Sequence, residues 1–247
     1  MARVCLLGAS NLTRGFGTAV RVTRAALGGP LELHAALGRG RSFGGPSSFL
    51  GRTLPGIAES GLWPGLDAAG AVRALPTYAL LSDMGNDVAF GVPAAVLLAW
   101  IEQTLERLAP ARSIVLGPPL VSVARISDRA FRFWGRLFFP ARGLQRAPLM
   151  ATLEEVDAGL RELCRARGLA FVEPEASWYG VDPIHVRHAA EKRAWRKILA
   201  SWGPISDSLP GGRVPLPAPL ERRILGVSFR HTQPAARLGD GTTVSIY

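Results

Sequence analysis

Five short apolar runs, each closing on glycine or a polar turn, alternate along the chain with longer helix-like stretches. The runs fall at residues 3–8, 31–37, 77–83, 113–116 and 169–172, and the helix-like stretches at 11–27, 93–109, 152–167 and 187–202. Strands apolar at consecutive positions are buried on both faces, which is how a parallel sheet covered by helices reads. Strands alternating with helices predict the same architecture. Sheets of this kind bind ligands at the carboxyl ends of their strands, so the loops after residues 8, 37, 83, 117 and 173 are expected to converge on one site.

A chain of 247 residues is long enough for a sizeable core. At 48% hydrophobic and 19% charged it is not a disordered chain. Its longest apolar stretch, Val92 to Ile101, is too short to span a membrane and contains Pro93. The first 202 residues read as one domain. Residues 203–220 are rich in proline and glycine and read as a linker, with 223–230 and 242–247 expected to pair as a hairpin around Gly239-Asp240-Gly241. Met1 leads directly into the first strand, so no leader is read and a cytoplasmic location is expected. Cys5 and Cys164 lie in apolar or helical sequence and read as buried free thiols.

The formal charge is +10, carried almost wholly by arginine and concentrated in residues 1–60 and 120–150. Such a surface attracts anions, but charge alone does not choose among nucleic acid, lipid and acidic substrates.

The strand ends carry the polar residues. Gly8-Ala9-Ser10-Asn11 follows the first strand, Gly38-Arg39-Gly40-Arg41-Ser42 the second and Gly85-Asn86-Asp87 the third. Asp182-Pro183-Ile184-His185 lies beyond the fifth. Ser10 sits where a strand turns into a helix, and a serine needs an adjacent base to become a nucleophile. His185 is the only histidine with a carboxylate three residues before it. Asp182 at that spacing can accept from one ring nitrogen while the other faces a serine. A backbone amide at Gly40, the Ser10 amide and the Asn86 side chain would make an oxyanion hole. Read one at a time, Ser10 serves equally as a helix cap, Asn86 as a turn residue and Asp87 as a structural carboxylate. Neither histidine nor cysteine spacing fits a metal, and no G-x-G-x-x-G or P-loop lysine is present, so no cofactor is expected.

Four such blocks in this order resemble the SGNH (GDSL) hydrolases over about residues 3–200. The resemblance implies a three-layer α/β/α sandwich, flavodoxin-like, with a five-stranded parallel sheet. It also implies Ser10 as nucleophile, His185 as base, Asp182 as its orienting partner, and Ser10, Gly40 and Asn86 as oxyanion donors. The chain departs from the family pattern in having Ala9 where aspartate is usual and Pro183 where glycine is frequent. Gly38 and Gly44 compete with Gly40 for the second block. The implied function is a serine esterase acting through an acyl-enzyme on a small-molecule ester of open identity. An acyltransferase with the same triad, and a non-catalytic binding protein using the basic surface, are the alternatives.

Residues 120–150 are the most individual segment. Arg125, Arg129, Arg132 and Arg136 form a basic stripe at helical spacing, and Ile126, Ala130, Phe133 and Leu137 a second, apolar one. Phe131, Phe133, Trp134 and Phe138 are expected to wall a substrate pocket, with a packed helix bearing a solvated arginine face as the structural alternative. Contact with a membrane surface is a further reading that is not favoured, and no nucleic-acid partner is expected. The oligomeric state is not legible.

Overall fold

A computed structural model of the chain describes residues 1–49, 51–108, 111–212 and 214–247. Residue 109, the expected end of one helix, residue 50 in the segment after the second apolar run and residue 213 of the expected linker lie outside them.

The first strand, β1 (Ala2–Leu7), is buried along its whole length. Its side chains alternate between two cores: Val4 and Leu6 point into one, Cys5 and Leu7 into the other. Two helical layers are therefore required, one on each face. β2 (Leu31–Ala36) pairs parallel to β1 on one side. The small sheet strands β3 (Ser47–Phe49) and β4 (Arg52–Leu54) come next in the chain. β5 (Thr77–Leu81), β6 (Arg112–Leu116) and β7 (Ala170–Val172) continue the parallel sheet on the other side of β1.

The helix expected at 11–27 is broken at Gly15 into α1 (Ser10–Arg14) and α2 (Phe16–Leu27). A Cβ on Gly15 would strike the Trp195 ring, so close packing selects glycine there. The next helices are α3 (Leu62–Val72), α4 (Gly85–Ala89), α5 (Ala94–Arg107), α6 (Leu120–Arg125), α7 (Asp128–Phe138), α8 (Arg146–Arg167) and α9 (His188–Ile198). Phe16 and Val20 of α2 pack with Trp195 and Ile198 of α9 on one face. Trp63 of α3, Ile101 of α5 and Val156 of α8 pack on the other.

The main sheet has seven strands, not the expected five. The two extra strands come from the tail. β8 (Glu221–Ile224) and β9 (Val227–Arg230) pair with each other, and β8 also pairs with β4, making a second four-stranded sheet. β10 (Ala236–Arg237) and β11 (Thr243–Ile246) form an antiparallel pair, and β11 runs parallel to β2. The expected pairing of 223–230 with 242–247 does not form. An unpaired sheet edge presents a row of free amides and carbonyls. At β2 that row is met by β11, while Val244 and Ile246 fill one core and Tyr247 the other.

The tail also braces the loop after β2. The buried Arg41 side chain donates to the carbonyls of Leu37 at 3.2 Å and Pro55 at 3.0 Å, and to that of Tyr247. No described helix is long and apolar enough to cross a membrane. Both cysteines are buried and free, and burial pushes the Cys5 thiol up to about 12, which leaves it unreactive at neutral pH.

Candidate active site

Ser10 is the first residue of α1, with only Gly8 and Ala9 between it and the end of β1 at Leu7. The turn between them is tight, since a Cβ on Gly8 would overlap the Ser82 hydroxyl and Leu12. The first amides of a helix have no acceptor of their own. Asp83, just past β5, accepts two amides of this turn at one oxygen, those of Ala9 at 2.8 Å and Leu12 at 3.0 Å. It does so from a left-handed backbone, φ 64°, which aspartate tolerates better than most side chains. The Ala9 side chain is buried, and its amide is held by this carboxylate from a neighbouring strand.

Asp83 also accepts from the Asn11 side-chain amide at 2.8 Å. Asn11 in turn donates to the Ile184 carbonyl at 2.9 Å and accepts from the Val186 amide at 2.8 Å. One carboxamide thus clasps both flanks of His185. Neither Asp83 nor the bracing role of Asn11 was anticipated. The only sequence signal was an aspartate at the polar end of an apolar run.

His185 Nε2 lies 3.0 Å from Ser10 Oγ, and His185 Nδ1 lies 2.7 Å from Asp182 Oδ2. The other Asp182 oxygen accepts from the amides of Ile184 at 3.0 Å and His185 at 3.1 Å. Burial pushes the Asp182 carboxyl up. The bond from the His185 ring, its charge and these amides outweigh burial and hold it below the ordinary aspartate value. An ionised carboxylate only accepts, so Nδ1 carries the proton and Nε2 is left as the acceptor for the serine hydroxyl.

Gly40 and Asn86 line a cleft together with Ser10 and His185. Gly40 is left-handed at φ 66°, a conformation glycine adopts without penalty. The competing Gly38 and Gly44 abut Leu54 and the Trp100 ring instead. Asn86 donates to the Arg41 carbonyl at 3.4 Å. Its neighbour Asp87 is fully buried, accepts from the Phe43 amide at 3.1 Å and bonds the Ser42 hydroxyl. Burial pushes the Asp87 carboxyl up to about 6, with those bonds partly opposing the shift. Asn86 and Asp87 thus hold the 40–43 segment against α4.

No family model matches the chain, and no curated protein matches it in sequence. Solved structures do match in fold. A carbohydrate acetylesterase family member from Sinorhizobium meliloti superposes with a TM-score of 0.53 at 18% identity, over 81% of this chain and 96% of that one. A lipase/acylhydrolase from Enterococcus faecalis gives 0.51 at 14% identity, over 84% and 100%. An aryl esterase from M. smegmatis gives 0.50 at 18%, over 81% and 97%. The chain shares the α/β/α fold of these structures.

On this fold the segment after β6 forms α6 and α7 over the site. Phe131, Trp134 and Phe138 of α7 line an apolar cavity that also takes in Ser10, Asn86, Val123, Ile126 and Leu153. Phe138 packs edge-to-face on the His185 ring at 4.9 Å between centroids and stacks on Trp134 at 5.2 Å. Phe133 was expected to join this wall, but it turns outward, 59% exposed, with Leu137 at 56%. The reason is helical phase. At 100° per residue, positions 131, 134 and 138 share one face, and 133 and 137 lie about 110° round the helix from it. Ile126 lies between α6 and α7 and lines the cavity, so the expected second stripe is not one face. Arg125 ends α6, leaving Arg129, Arg132 and Arg136 as the basic stripe of α7.

Proposed function

We propose that the protein is a serine esterase that hydrolyses a carboxylic ester whose acyl part is apolar. The observation that carries this reading is the continuous chain from Ser10 Oγ through His185 to Asp182, at 3.0 and 2.7 Å, opening on an apolar cavity. The fold neighbours described as an acetylesterase, an aryl esterase and an acylhydrolase share the ester bond and differ in what flanks it, which supports the reaction class and not one substrate.

The chemistry follows from the geometry. Ser10 Oγ attacks the ester carbonyl carbon while its proton passes to His185 Nε2. The carbonyl π electrons move to oxygen, and the amides of Ser10 and Gly40 with the Asn86 side chain receive that charge. Asp182 accepts from Nδ1–H and stabilises the imidazolium. The intermediate collapses, the carbon–oxygen bond to the alcohol breaks, and the alcohol oxygen takes the proton from Nε2. Water then attacks the acyl-enzyme, gives a proton to Nε2, and the acid leaves as Ser10 regains it. Asp83 and Asn11 position the serine turn and the histidine loop.

The test is labelling with a fluorophosphonate probe followed by peptide mass spectrometry. Modification at Ser10, lost in Ser10→Ala, is the expected result. Absence of labelling together with absence of turnover on acetyl and hexanoyl aryl esters would overturn the reading.

A further inference from the structure

Two concave surfaces meet at Ser10, and they differ in chemistry. One is the apolar cavity under α7. The other is a cleft whose wall carries Arg14, Arg39 and His185 beside the rings of Phe49, Phe90 and Phe139, with no carboxylate. Both arginines are exposed and, among the described residues, neither is paired with an acid. Their positions are set by the reacting groups themselves. Arg14 lies four residues after Ser10 on α1, the spacing that puts two side chains on one face of a helix. Arg39 immediately precedes Gly40. Each arginine side chain therefore starts at a set place relative to the serine and the proposed oxyanion amide.

His185 decides which part of the ester goes where. The leaving alcohol oxygen must lie within hydrogen-bond reach of the acid that protonates it. His185 lines the basic cleft and not the apolar cavity. The alcohol part thus lies toward Arg14 and Arg39, and the acyl part toward Phe131 and Trp134.

We propose that the substrate is an amphiphilic ester, an apolar acyl group on an alcohol that bears an anionic group, carboxylate or phosphate, bound by Arg14 and Arg39. The guanidinium fork suits both anions bidentately. This assignment rests on the esterase reading.

The experiment uses three hexanoyl esters of one phenol framework: a carboxylate, a phosphate and a neutral methyl carboxylate. Each is assayed with wild type, Arg14→Gln, Arg39→Gln and the double variant. The quantity read is the anionic-to-neutral ratio of kcat/KM, compared between variants so that intrinsic reactivity cancels. That ratio is expected to fall about threefold in each single variant and about tenfold in the double, and to fall in wild type as salt is raised. Carboxylate and phosphate arms that respond differently identify the anion. Unchanged ratios with all three esters turned over would overturn this inference while leaving the esterase standing. If none of the three is turned over, fluorophosphonate labelling of Ser10 and turnover of the acetyl ester decide the esterase reading. Binding of the anionic esters to Ser10→Ala, with and without Arg14→Gln and Arg39→Gln, then decides the cleft on its own: weakened binding in the arginine variants supports it, equal binding refutes it.

Discussion

The Asp83 carboxylate and the Asn11 carboxamide are joined at 2.8 Å, and through this pair the turn that carries Ser10 is tied to the loop that carries His185. The two loops come from opposite ends of the domain sequence, so nothing local keeps them in register. Asp83→Ala removes three accepted hydrogen bonds and puts alanine at φ 64°. Displacements of an ångström at a reacting centre cost up to about 10²-fold, so kcat is expected to fall about 10- to 100-fold with a smaller change in KM. Asp83→Asn tolerates the backbone and keeps one acceptor, and should retain more activity. Steady-state kinetics with melting temperatures on both variants check this; a wild-type kcat in Asp83→Ala would refute it.

Asp182→Asn tests the proposed orienting role. The variant keeps one oxygen for the amides of Ile184 and His185 but turns a donor toward Nδ1. The ring then carries its proton on Nε2, facing Ser10, where it cannot accept. Turnover is expected to fall by about 10³- to 10⁴-fold with the fold intact. Circular dichroism alongside kinetics separates the two effects.

The cavity under α7 should set acyl preference. Trp134→Ala removes a wall residue that stacks on Phe138. For hexanoyl and longer esters kcat/KM is expected to drop about tenfold or more, with acetyl esters changed far less, since pocket contacts count by the methylene. Leu137→Ala, on the outward face, is the control and should leave the chain-length profile unaltered.

Asp87 gives a pH dependence of stability. Its folded value, raised to about 6 from 3.8, means that the folded protein holds the proton more tightly than the unfolded chain. The stabilising contribution is complete below about pH 4 and is lost as pH rises through about 6, a change on the order of 3 kcal/mol. Asp87→Asn cannot ionise, so its stability relative to wild type should rise across that window. Urea unfolding from pH 4 to 8 measures it. Parallel curves would show that Asp87 does not titrate there.

The tail strand is part of the core. Ile246 is 1% exposed and sits in the same cluster as Leu33 and Phe16. Ile246→Ala is expected to lower unfolding stability by about 2–5 kcal/mol, as core truncations do. A surface-like loss below about 0.5 kcal/mol would mean that β11 is dispensable.

The central strands were readable because each is apolar at consecutive positions. Burial on both faces leaves no polar alternation to confuse the pattern, so Val4, Cys5, Leu6 and Leu7 announce a parallel strand by themselves. The polar blocks were readable for the converse reason. Ser10 and Asn86 follow the ends of those runs, and Asp182 and His185 lie in the loop beyond the last of them, where a loop carries chemistry. β11 was harder, because a four-residue strand paired with β2 some 200 positions away leaves no local trace. Phe133 shows a second limit. Listing aromatics by segment ignores phase, and the helix break at residues 126–127 sets which of them face inward.

The sequence by itself determined the parallel sheet and the order of the polar blocks, and it singled out the serine, histidine and aspartate of the proposed triad. Those depend on composition along single strands and loops. Tertiary structure alone decided that Asp83 braces Asn11, that Gly40 rather than Gly38 or Gly44 faces the cleft, and that an apolar cavity and a basic cleft meet at Ser10. Each of these is a distance between segments far apart in the chain. Such distances come from packing the whole core, which no local pattern encodes.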